Sequence, residues 1–164
     1  MIQSPPPHSG DDEDRQQAAA RQFACGAARL LADSRCEQTV VIDVRGISSV
    51  TDFLVIATGT SDRQIRSVGQ DLKDLGRLEQ HTPLSIHGLE GGRWAVVDFA
   101  DVVVHLFEDE TRGYYDLESL WGDGQRVDWE AVTQPGQFAK LSARRRRAAD
   151  QADGEIDRPG PDLE

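Results

Sequence analysis

FLVIATGTSDRQIRSVGQDLKDLGRL, residues 53–78, is the most informative stretch of the chain. Phe53 to Thr58 is a nearly continuous apolar run, the pattern of a central strand covered on both faces. Gly59 ends it, Thr60 or Ser61 offers a helix N-cap, and Asp62 falls in the first turn, where a carboxylate complements the helix dipole. Ile65, Val68, Leu72 and Leu75 then step by 3, 4 and 3 residues, which predicts a helix to about Leu78 with one apolar stripe. A buried strand followed at once by an amphipathic helix is the unit of an α/β layer.

Upstream, Phe23, Ala27, Leu30 and Leu31 mark an earlier helix from about Arg15 to Asp33, and β-branched Thr39 to Val44 reads as a strand. Downstream, Leu84 to His87 is a short strand and Gly88 to Arg93 a turn. Trp94 to Phe99 and Val102 to Phe107 are two strands joined tightly at Ala100-Asp101. Glu108 to Leu120 is expected to form one or two short helices carrying Tyr114, Leu117 and Leu120 inward, stopped at Trp121-Gly122. The hairpin rules out an all-parallel arrangement. The expected fold class is therefore α/β, with a mixed β-sheet of about five strands and flanking helices. Three regions are expected: 1–14 as a disordered N-terminal extension, 15–130 as the folded domain, and 131–164 as a flexible charged tail with a transient helix near Phe138 to Gln151.

Charge and composition bound the function. The chain has 164 residues and a net charge of −11. Residues 38–130 hold 17 acidic against 8 basic residues, hence −9. Such a surface repels phosphate backbones, so the core is expected to make little or no direct RNA contact; on a nucleoprotein particle it would touch the basic protein instead. Arg144 to Arg147 is the exception, and rRNA or anionic lipid would suit it. It is read as part of a solvated tail, because six bases between 131 and 164 are balanced by six acids. No apolar segment is long enough for a membrane span, and the acidic, proline-containing start resembles neither a secretory signal nor a transit peptide. Cys25 and Cys36 lack a metal or redox spacing and are expected as reduced, unpaired thiols of a cytoplasmic protein.

The hairpin carries the candidate site. Its register pairs Asp98 with Val103, Val96 with His105, and Trp94 with Phe107, and side chains directly opposite share a face. One face is then Ala95, Val97, Phe99, Val102, Val104 and Leu106, which is core. The other is Trp94, Val96, Asp98, Val103, His105 and Phe107, large aromatics mixed with an acid and an imidazole, as protein-binding surfaces tend to be. The bland alternative, that the first or last helix simply covers this second face, stays open on these grounds.

Nothing in the chain assembles a reaction. Gly59-Thr60-Ser61-Asp62 lacks the spacing and lysine of a phosphate-binding loop and reads as a plain cap. Asp98 and Asp101 are three apart across a turn, so they cannot share a strand face as metal ligands. His8, His81, His87 and His105 are scattered without a metal-binding motif. The expectation is no cofactor, no metal and no enzyme.

Two stretches, VIDVRGISSVTDFLVIATGTSDRQIRSV (41–68) and GRWAVVDFADVVVHLFEDETRGYYDLESLWGD (92–123), resemble the signature of the ribosomal silencing factor, or Iojap-like, family. The resemblance covers about 15–130. It implies a nucleotidyltransferase-like fold that is catalytically degenerate. It also implies binding to the large ribosomal subunit through ribosomal protein fourteen, which blocks joining of the small subunit and lowers translation when nutrients are scarce. Organellar relatives assist large-subunit assembly, so an assembly factor is the alternative, and a nucleotidyltransferase-like enzyme the remote one. Trp94 falls on the family's partner-facing tryptophan. Asp98, Asp101 and His105 fall on its DxxD…H pattern, and Tyr115, Leu117 and Trp121 on its YxLExLW ending. The family commonly has Gly where this chain has Ala100. An exposed strand edge leaves a homodimer open.

Overall fold

A computed structural model describes residues 9–154. The chain runs α1 (Ser9–Asp33), β1 (Glu37–Asp43), β2 (Phe53–Thr58), α2 (Asp62–Leu78), β3 (Ser85–His87), β4 (Trp94–Asp98), β5 (Val102–Phe107), α3 (Asp109–Tyr115), α4 (Leu117–Leu120), β6 (Gln125–Arg126) and α5 (Ala139–Gly154). The strands form one mixed sheet in the order β3-β4-β5-β2-β1-β6. Among the described strands β2 and β5 pair in parallel, through a long connection that carries α2 and the antiparallel strands β3 and β4. The sixth strand has two residues, too few for any hydrophobic pattern to announce it.

Every residue of β2 is buried, as its apolar run predicts. The N-cap of α2 is Ser61, whose Oγ accepts a hydrogen bond from the Gln64 backbone N–H at 3.1 Å. Ile65, Val68, Leu72 and Leu75 all lie in the core. The main core packs α1 and α2 against one sheet face, with Phe23, Leu30, Leu31, Phe53, Val55, Val97 and Val104 at its centre. The apolar hairpin face, from Ala95 to Leu106, is buried in full.

Three expectations change. The first helix begins at Ser9 and not near Arg15, so the acidic run 11–14 is helical. Its first turns are exposed on all sides, so no apolar stripe marks them; Asp11 and Asp12 favour the helix by opposing its dipole. The remainder of the N-terminal extension, 1–8, lies outside the described residues. The segment read as a tail from 131 carries structure as far as Gly154, while 155–164 lie outside the described residues. Trp129 is buried with its indole N–H donating to the Thr39 carbonyl, and Arg29 stacks over its ring at 4.8 Å. Thr133 accepts from Arg29 Nε at 2.9 Å, and Phe138 lies against Gly26. A Cβ at Gly26 would meet that ring at ordinary van der Waals distance, 3.4 Å. Finally, Tyr114 and Leu120 point outward, 82% and 71% exposed. Helices of seven and four residues are too short for sequence periodicity to fix their facing.

Candidate functional site

The hairpin register is the expected one: Trp94 opposite Phe107, Val96 opposite His105, Asp98 opposite Val103. Because β3 pairs with β4, His87 lies opposite Val96 and Ser85 opposite Asp98, so the same face continues onto the sheet edge. Neither α1 nor α5 covers it. A second, smaller core of Ile42, Val44, Leu54, Ile56 and Phe107 sits on this side under Leu117 and Trp121, with Trp94 and Val103 at its margin. The α3–α4 corner thus roofs the β1–β2 half and leaves the β3–β4–β5 half open.

At that margin the aromatics converge. Trp94 stacks on Phe107 with centroids 5.0 Å apart and meets the Tyr115 ring at 4.4 Å. Phe107 is fully buried and forms the floor. The Trp94 indole N–H donates to His105 Nδ1 at 3.1 Å, which requires that nitrogen to be unprotonated. Burial pushes the His105 imidazole down to about 4, against an opposing pull from Asp98. His105 is therefore neutral at physiological pH and serves as a fixed acceptor that orients Trp94.

The remaining expected site residues sit elsewhere. Asp98 Oδ1 accepts from the Ala100 backbone N–H at 2.8 Å, capping the hairpin turn. Ala100 has φ 70°, so this position takes the left-handed conformation that glycine favours. Asp101, at the tip, accepts from Gln16 of α1 at 3.3 Å. Trp121 packs into the second core instead of joining the open face. The structure thus unites Trp94, Val96, His105, Phe107 and Tyr115, and places Asp98, Asp101 and Trp121 around them. Sequence reasoning missed His87 and Ser85, whose facing depends on a register across a six-residue turn region, and misplaced Tyr114.

The turn before α2 uses its groups internally: the Thr60 N–H and hydroxyl both engage Gln64 Oε1. Among the described residues no three His, Cys, Asp or Glu side chains are grouped to hold a metal ion. No helix there is long and apolar enough to cross a membrane. Cys25 and Cys36 are free and buried, and burial pushes the Cys36 thiol up to about 12, so both are inert thiols.

Fold and site together define a small α/β protein with one sheet face packed under helices and the other left partly open around a fixed tryptophan. Residues 17–155 match the family described as "Ribosomal silencing factor during starvation", and the chain belongs to this ribosomal silencing factor family. It is 37% identical over 106 residues to ribosomal silencing factor RsfS of Halalkalibacterium halodurans, covering 65% of this chain and 91% of that protein. It is likewise 38% identical over 102 residues to the Bacillus subtilis RsfS, covering 62% and 86%. A crystal structure of a Chromobacterium violaceum protein superposes with TM-score 0.60 at 30% identity, over 66% of this chain and 89% of that one.

Proposed function

We propose that the protein silences ribosomes by binding ribosomal protein fourteen of the large subunit and obstructing the small subunit, lowering translation when nutrients are limited. In this reading it is a cytoplasmic, non-enzymatic regulator on a nucleotidyltransferase-like scaffold without catalytic carboxylates. The observation that carries it is the Trp94 cluster: a large ring, braced by Phe107 and Tyr115 and held by His105, at the boundary between a packed half-face and an open one. A pre-set aromatic anchor loses little freedom on binding. The −9 charge of residues 38–130 would steer it toward a basic protein and away from RNA. Silencing then needs only occupancy, so its strength follows affinity and concentration.

The test is sedimentation of purified protein with separated subunits. The expected result is co-migration with the large subunit and loss of the joined-ribosome peak. Trp94→Ala should weaken binding by about 2 kcal/mol or more, roughly thirtyfold, while the circular dichroism spectrum stays that of the parent. Parent-level binding by this variant overturns the anchor. Binding without any block on joining supports the assembly-factor alternative.

A further inference from the structure

Tyr114 lies outside the core: it is 82% exposed and meets Tyr115 edge-to-face at 5.1 Å. These two rings and Trp94 line a cleft of about 430 Å³, completed by Arg93, Glu108, Glu110 and Thr111. Glu108 is the N-cap residue of α3 yet its side chain makes no capping bond; its Oε2 accepts only from the Thr111 hydroxyl, at 3.3 Å. Among the described residues the Glu110 side chain makes no hydrogen bond or ion pair. Three π-faces and two carboxylates around one opening form a trap for positive charge.

We propose that this cleft is the subsite for one arginine side chain of the basic protein partner. The proposal rests on the function proposed above and specifies the chemistry by which the Trp94 face would recognise its target. An aromatic ring is negative over its face, so a cation above it is attracted. A guanidinium is planar and weakly hydrated, so it can lie flat on an aromatic ring while its N–H fork reaches a carboxylate; an ammonium must shed tighter water and offers no plane. Arg93 is the one lining residue of opposite sign. It is exposed, and with two acids against one base it leaves the lining at −1. Arg93 therefore competes with an incoming arginine, and its removal should tighten binding. A surface that merely attracts cations through the distant net charge predicts little change for the same substitution, because screening weakens remote charges.

The experiment titrates the ¹⁵N-labelled full chain with acetyl-Gly-Arg-Gly-amide and with the same peptide carrying citrulline, which keeps the shape and loses the charge. The expected result is saturable movement of the Trp94 indole N–H and Tyr115 amide signals with arginine and little with citrulline. Tyr114→Leu and Glu110→Gln should each weaken binding about two- to fivefold, the range of an exposed cation–π or charge contact. Arg93→Gln should strengthen it about twofold or more. Equal shifts from both peptides overturn the proposal, as do shifts spread over the acidic surface without saturation, or an Arg93→Gln variant that binds no tighter. Failure here with intact large-subunit sedimentation removes the arginine subsite and leaves the silencing function standing. Peptide binding without sedimentation does the reverse.

Discussion

Replacing Arg112 by Met should unseat the aromatic cluster from a distance. Arg112 is buried, 7% exposed. Its Nη1 donates to Thr58 Oγ1 at 2.9 Å, and Nε and Nη2 both donate to Glu118 Oε1. One side chain therefore ties the end of the central strand β2 to α4, across the corner where Asp116 turns left-handed at φ 47°. Methionine fills much of the volume but strands the Glu118 carboxylate and the Thr58 hydroxyl. Breaking a buried pair from one side costs about 3–5 kcal/mol. The Glu118 side chain is 21% exposed and can recover some water, so about 2–3 kcal/mol is expected. At roughly 2–4 °C per kcal/mol for a chain of this size, Tm should fall by about 5–10 °C. Because Tyr115 leans on Trp94 from the same corner, the Trp94 indole N–H signal should also move. Arg112→Met with Glu118→Leu removes both charges, and should recover at least half of the loss. A single variant melting within about 2 °C of the parent, or a double variant no better than the single, refutes the argument.

Three further outcomes are expected. The folded chain holds His105 neutral down to about pH 4, whereas an unfolded histidine protonates near pH 6.5. Stability should thus fall by up to about 3 kcal/mol as pH drops between those values, and His105→Gln, which keeps an acceptor for Trp94, should flatten that part of a urea-midpoint profile. Ala100→Gly should raise Tm by about 1–4 °C, because relief of the left-handed alanine (φ 70°) outweighs glycine's greater unfolded entropy by roughly 0.5–1 kcal/mol; a lower Tm contradicts this. Trp129→Ala should cost about 3 kcal/mol or more by urea denaturation, since it empties a buried ring site under Arg29, and a loss under 1 kcal/mol would mean the C-terminal arm is not held by that ring.

What the sequence disclosed follows from where periodicity is long enough to read. β2 and α2 were plain because six buried positions and a four-residue stripe leave one interpretation each. The hairpin register was plain because a tight turn between two alternating strands fixes it, and the apolar face had to go inward. The helix near 138–151 was legible, and α5 spans Ala139–Gly154, but the docking of the C-terminal arm was not: Trp129, Phe138 and Leu141 are single anchors spaced along polar chain, with no repeat between them. Docking of such an arm depends on a receiving surface, here the Gly26 notch on α1, which sequence pattern does not reveal. The outward turn of Tyr114 was hidden for a related reason, since two rings adjacent in sequence on a short helix cannot both face inward.

The openness of the site is a consequence of helix supply. Two sheet faces need cover, and α1, α2 and the α5 arm all pack on one of them. Among the described residues α3 and α4 are left for the other, and they reach as far as Trp94 at the near edge of β4. The strands register this difference. The fully covered β2 is buried at every position, while β4 alternates between buried and partly exposed residues. An alternating strand beside a continuous apolar one thus marks which half of the second face lacks a roof. Trp94 sits on that alternating strand, where a merely solvated face would favour small or charged residues. Its indole N–H is satisfied internally by His105, so the exposed part of the ring is apolar surface without a hydrogen-bonding duty. Trp94 is partly buried, and a partner that covered its remaining apolar edge would complete its burial.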